Sequence, residues 1–204
     1  MKRRETAEEL LARLEADPKF VADRAARENA HQRLEAELRV AEAPVIAELQ
    51  AAGYPVQSVW DLVNTTSSYA EALPILVGHL SKPYPDAIRD GIARALAVPE
   101  ANFAMSTLKR LYEAEKNTRV KAGLAVALAG VAQERDKPEI ISLARDATNG
   151  PTRVLLLRAL ERFADTKARA ALMEPGSDPD LRKEVPVILR RLKRRRRSSG
   201  TSND

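Results

Sequence analysis

Placed 64 residues apart, two stretches of this chain read alike. Arg89 falls on Arg153, Ile92 on Leu156, Arg94 on Arg158, Ala95-Leu96 on Ala159-Leu160, and Pro74 on Pro138. Halfway, at an offset of 32, Arg89 meets Lys121, Gly91 meets Gly123, Ile92 meets Leu124 and Ala95-Leu96 meets Ala127-Leu128. A copy shorter by three residues matches Leu181-Arg182 with Ile88-Arg89, Val185 with Ile92 and Leu189 with Leu96. Thirty residues before the clearest copy, Pro44 answers Pro74 and Tyr54-Pro55 answers Tyr84-Pro85. Five copies of one unit therefore cover roughly residues 43–192, near 43–68, 70–98, 101–132, 137–164 and 166–192. Repetition on this scale means one supersecondary unit stacked on the next, each supplying the core its neighbour lacks.

The unit reads as two short helices. In the clearest copy, Leu73, Leu76 and Leu80 recur at helical spacing over residues 70–80, and Pro74 sits near a first turn, where its missing N–H costs little. Lys82-Pro83-Tyr84-Pro85-Asp86 breaks that helix, because each proline biases its predecessor out of the α region, and Asp86 is placed to cap the next one. Ile88, Ile92, Ala95 and Leu96 then form one apolar face. The following copies pair 102–112 with 118–131 and 138–146 with 151–163, with Asn117, Gly150 and Asp165 as breaks or caps. Pro186 interrupts the last second-helix, which must kink or restart there.

Residues 1–42 stand outside the repeat. Thr6-Ala7-Glu8-Glu9 has capping-box spacing, Leu10, Leu11 and Leu14 form a short stripe, and Asp17-Pro18 is a stop and restart. From 18 to 41 the chain is helical in character, with Arg24/Glu28, Arg33/Glu37 and Glu35/Arg39 at i,i+4 and a weak face at Leu34, Leu38 and Ala41. A charged, solvent-exposed capping segment is the plain reading; a partner or self-association helix is the sharper one. At the other end the formal charge of +5 is misleading until it is located. Arg190, Arg191, Lys193, Arg194, Arg195, Arg196 and Arg197 carry seven positive charges and Asp204 removes one, so residues 1–189 sum to about −1. Residues 193–204 read as a basic tail that becomes disordered after about Arg197.

The pattern resembles the HEAT-repeat family, its short bacterial members in particular. The resemblance rests on a proline in the first helix (Pro44, Pro74, Pro138), a turn aspartate (Asp86), a basic residue early in the second helix (Arg89, Lys121, Arg153, Arg182) and the Ala-Leu pairs at 95–96, 127–128 and 159–160. It covers about three quarters of the chain. The period of 30–32 is shorter than the ~40–47 usual for the class. Thr118 and Gly150 stand where the turn aspartate would recur, and Val59 replaces the basic residue in the first copy. The resemblance implies an all-α fold, a right-handed α-solenoid of about five helical hairpins preceded by an N-terminal helical cap, with the second helices lining a concave face.

Chemistry is harder to find. With no cysteine there are no disulfides, thiol nucleophiles or Cys-ligated zinc. His31 and His79 lack metal-site spacing, and His79 reads as a packed histidine. Gly91 and Gly123 read as close helix–helix approach and not as a phosphate loop. Asp86, Arg89, Asp90 and Arg94 read as a salt-paired helix start. No catalytic residue, cofactor or metal is expected. Some HEAT-like proteins are DNA glycosylases, but Trp60 is the only tryptophan here, the body is near neutral, and no motif carries over. Core filler is the plain reading of Trp60, a partner-facing aromatic the other.

The solvent stripe of the second helices should be Asp90, Arg94 and Ala97, then Ala122, Val126 and Ala129, then Val154, Arg158 and Glu161. Its centre is small and apolar and its flanks are charged, which suits a protein segment better than a phosphate backbone. A non-enzymatic interaction scaffold binding through Asp90, Arg94, Val126, Arg158 and Glu161 is the leading expectation. Val126→Glu or Arg94→Glu should then abolish partner capture while leaving helicity intact. The alternative is a nucleic-acid-associated protein using Arg190–Arg197, with the glycosylase a weaker third. No apolar run approaches the ~18 residues that span a membrane, and no apolar stretch follows the basic N-terminus, so a cytoplasmic protein is expected.

Overall fold

The computed structural model describes residues 6–163 and 181–199, and side chains through residue 191. Asp165 and the stretch 164–180 lie outside these residues, as do 200–204. The fold is all-α, with ten α-helices and no strand among the described residues. They are α1 (Ala7–Glu15), α2 (Pro18–Ala51), α3 (Val59–Asn64), α4 (Leu73–His79), α5 (Asp86–Ala95), α6 (Met105–Ala114), α7 (Thr118–Val131), α8 (Lys137–Arg145), α9 (Arg153–Phe163) and α10 (Glu184–Ser199). None of them is long and apolar enough to cross a membrane. The chain divides into two compact units, one ending at Ala41 and one beginning at Glu42, and the boundary falls inside α2.

In the first unit, local rules govern. Thr6 and Glu9 close a reciprocal capping box at the start of α1. Asp17 stops that helix and starts the next, its carboxylate accepting from the backbone N–H groups of Lys19 and Phe20. No described residue up to Ala41 is buried, and Leu34 is more than half exposed. The i,i+4 pairs expected along α2 do not close; Glu35 meets His31 at 3.1 Å instead. Exposed ion pairs gain little over hydration, so long side chains are under slight pressure to meet.

The second unit is built on a row of second helices. α3 packs on α5, α5 on α7, α7 on α9 and α9 on α10, while α4, α6 and α8 pack against α5, α7 and α9 respectively. Leu76, Ile92, Leu96, Leu108, Leu124, Leu128, Ile140 and Leu156 are fully enclosed. Burying each removes an apolar side chain from water, a gain of roughly 1.5–3 kcal/mol apiece. Within α2, Pro44 does not end the helix, and Val45, Ile46 and Leu49 just beyond it are buried. Glu42, also buried, accepts from Val59 N–H at 2.7 Å and Ser58 Oγ at 3.1 Å, so it ties α2 to the first turn of α3. Burial raises the Glu42 carboxyl's pKa, and the bonds from Val59 and Ser58 oppose that rise.

Several joints differ from expectation. Asp86 is the first residue of α5 and not its cap; Pro85 holds the cap position and no side chain caps it. The Asp86 carboxylate accepts instead from Asn117 Nδ2 at 2.6 Å, across to the start of α7. Asn117 does cap α7, through the N–H groups of Arg119 and Val120. Gly150 breaks the chain between α8 and α9 with a φ of 63°, in the left-handed region that glycine tolerates. Helix α10 begins two residues before Pro186, which places the proline in a first turn. The expected disorder after about Arg197 is not seen as far as Ser199, since α10 continues to that residue.

Candidate functional site

Three glycines set the spacing of the second helices. A β-carbon on Gly91 would lie 2.6 Å from Val59 Cγ2 and 3.0 Å from Trp60 Nε1. One on Gly123 would lie 2.5 Å from Asp90 Oδ1 and 3.0 Å from the Asp90 carbonyl, and one on Gly130 would run into the Ala97 backbone. Position 90 therefore abuts 123 and position 97 abuts 130, a register of 33 residues between α5 and its neighbour α7. Arg94 and Ala97 are thereby brought beside Val126, and these three share one groove of about 460 Å³. Its far wall is the hydroxyl-rich loop 65–69, and Glu100 and Leu73 also line it. The loop is tied down by Tyr69, whose hydroxyl donates to the Ala95 carbonyl at 3.0 Å, near the end of α5.

The five residues expected to form the partner surface meet different fates. Arg94 and Val126 are half-buried and line the groove; Arg158 is exposed. Glu161 is mostly covered and sits 3.7 Å from Arg191 of α10. Asp90 is a correction: only 4% of it is exposed. Gly123 lets α7 approach closely enough to cover it, and two guanidiniums finish the job. Arg94 Nε donates to Asp90 Oδ1 at 2.7 Å and Arg119 Nε to Oδ2 at 3.3 Å. This corrects the mutational expectation too, because Arg94→Glu would set a second carboxylate against a buried one and disturb the fold itself. Of the basic run, Arg190 and Arg191 are exposed; Lys193 and Arg194 to Arg197 lie within α10, with side chains outside the described set.

Other features were missed in sequence. Arg119 lies 29 residues from Asp90 and off the expected stripe, so the repeat pattern does not point to it. The loop could have been noticed as four consecutive hydroxyl residues, 65–68, between two units. His79 is packed as expected, only 1% exposed, and stacks on Tyr84. Its Nδ1 lies 2.5 Å from the Tyr84 hydroxyl and its Nε2 2.9 Å from Glu48. The same Nε2 also lies 3.0 Å from Lys82 Nζ, so Glu48 and Lys82 converge on one edge of the ring and Tyr84 holds the other. The bond from His79 holds the Glu48 carboxyl below its ordinary range, while burial raises the Tyr84 phenol. A phenol pushed upward is no nucleophile at neutral pH, so this cluster fastens α4 and the following loop to α2. Trp60 is half-buried with its indole edge over Gly91, so it serves the α3–α5 contact. No group of three His, Asp or Glu among the described residues is placed to hold a metal ion.

Comparison with family models, with curated proteins and with solved structures gives no match to this chain.

Proposed function

We propose that the chain is a HEAT-like α-solenoid, right-handed and of about five helical hairpins, that works as a non-enzymatic interaction scaffold. Its partner is a protein segment laid along the second-helix face. The observation that carries this reading is the open groove where Arg94, Ala97 and Val126 meet the 65–69 loop. It combines a small apolar floor, hydroxyl donors and acceptors on one wall, and a guanidinium at the edge, which is the make-up of a peptide-binding surface. The 33-residue register between α5 and α7, and the regular packing of each second helix on the next, support the repeat architecture.

The test is affinity capture from the native lysate with identification by mass spectrometry, at low and at high salt. Val126→Glu puts a charged side chain on the groove floor beside Arg94, while Asp90 keeps its Arg119 partner. The variant is expected to keep its helicity and lose the partner that the parent protein captures. Capture unchanged by Val126→Glu would contradict the reading.

The nucleic-acid reading draws on a separate observation, the continuation of α10 through the basic run with Arg190 and Arg191 exposed. A helix carrying seven cations in eight residues attracts phosphate backbones in a salt-dependent, sequence-independent way. Neutralising Arg195 and Arg196 would lower the salt concentration that elutes the protein from a DNA column under that reading and leave it unchanged under the scaffold reading.

A further inference from the structure

Asp90 is an unusual centre for a surface. It is one buried carboxylate shared by two arginines, and each of them spends only its Nε on it. The terminal nitrogens of Arg94 and Arg119 meet no acceptor among the described residues. Arg119 is more than half exposed. Arg158, which stands 64 residues after Arg94 at the matching sequence position in α9, is exposed and likewise meets no carboxylate among the described residues. Two guanidiniums on one carboxylate keep a surplus positive charge at that end of the groove, since the exposed Glu100 on its lining forms no ion pair with either, and they present several unused N–H donors. A second carboxylate would complete both the charge balance and the hydrogen bonding, in the two-pronged geometry that guanidinium favours.

From this we infer that the second-helix groove recognises an acidic protein segment. One of its carboxylates sits on the Arg94–Arg119 pair, a second reaches Arg158, and small apolar residues between them rest on Ala97 and Val126. The inference rests on the scaffold reading and gives its partner a chemistry. The apolar floor argues against a nucleic-acid backbone, which would want cations throughout, and Tyr69 is the one aromatic residue that lines the groove, too few for a run of stacked bases.

The experiment is fluorescence anisotropy on the full chain with three labelled probes: a glutamate–leucine peptide, its glutamine–leucine counterpart and an oligothymidylate. Arg119→Gln and Arg158→Gln are compared with a double change in α10, Arg195→Gln with Arg196→Gln. Arg119→Gln leaves Asp90 its Arg94 partner, and Arg158→Gln touches no internal bond, so at least one variant stays folded. The glutamate peptide is expected to bind and the glutamine peptide not. Each of Arg119→Gln and Arg158→Gln should weaken binding about tenfold, and the α10 variant should leave it unchanged. Equal loss in the α10 variant, or no loss in Arg119→Gln and Arg158→Gln, would overturn the inference. So would tighter binding of the oligothymidylate with the same dependence on Arg119. If the glutamine peptide binds as well and Val126→Glu abolishes it, the acidic preference fails and the groove reading stands. If no peptide binds, the acidic preference fails alone, because lysate capture judges the groove separately.

Discussion

Arg89, Lys121 and Arg153 occupy one repeat position and solve it in three ways. Arg89 reaches forward to Glu115 and back to Asp86, Lys121 lies over the Tyr112 ring, and Arg153 is buried with its Nε on the Gly150 carbonyl. The sequence announces a cation there, but its partner depends on the loop each unit happens to have. Glu115 illustrates the consequence for pH. Burial pushes its carboxyl up, but the Asn117 N–H, the Arg89 guanidinium and the Lys116 N–H together hold it below its reference value of 4.5. A depressed folded-state pKa contributes stability that is complete above the unfolded value and is lost as pH falls through the folded one. Urea denaturation from neutral pH down to about pH 3 should therefore find Glu115→Gln less stable near neutrality, with the gap to the parent protein closing as the medium becomes acid. A gap that stays constant would show that the carboxylate charge does not matter. The glycines make a second contrast. Gly123→Ala drives a methyl into Asp90 and should lower stability by about 1–3 kcal/mol. Gly78→Ala, in the last turn of α4 and with nothing within 4 Å, should be neutral or stabilise by up to about 1 kcal/mol. Thermal melts of the pair would decide between close approach and mere helix propensity.

Helix ends were legible where the chain writes them in local chemistry. The Thr6–Glu9 box, the Asp17 restart, the Asn117 cap and the Gly150 break all follow from side chains within four residues of the joint, and α7 spans Thr118–Val131 as its pattern predicts. Ends closed from a distance were not legible. Arg162 of α9 donates to the carbonyls of Ala129, Gly130 and Ala132, and so satisfies the last turn of α7 from thirty residues away. Asp86 went the same way, drawn off its expected cap role by Asn117 on the next unit. Arg162→Ala should destabilise the protein by about 1–2 kcal/mol and speed amide exchange over the residues just past α7, with Arg162→Lys restoring only part, since one ammonium cannot span three carbonyls. Exchange confined to α9 would mean that the arginine serves its own helix alone.

At the scale of the whole molecule, the all-α fold and the packing of α5 on α7 were open to reading, because close approach demands small residues such as those at 91 and 123. The site was only half open. Arg94 and Val126 lie where the stripe puts them, but Asp90 is covered because Gly123 admits a neighbouring backbone, a fact about pairs of helices that no single helix records. The 65–69 loop joins the groove, and Arg119 reaches Asp90, for reasons equally remote in sequence. We propose that this groove, and not the basic helix, meets the partner. Site-specific photo-crosslinking in the native host tests it most directly, with the reactive side chain placed at Thr66 on the groove wall or, as control, at Ser106 on α6. A discrete adduct from Thr66 and none from Ser106, with the Thr66 adduct lost on adding Val126→Glu, is the predicted result. The same adduct from both positions, or one from Thr66 that survives Val126→Glu, would contradict it.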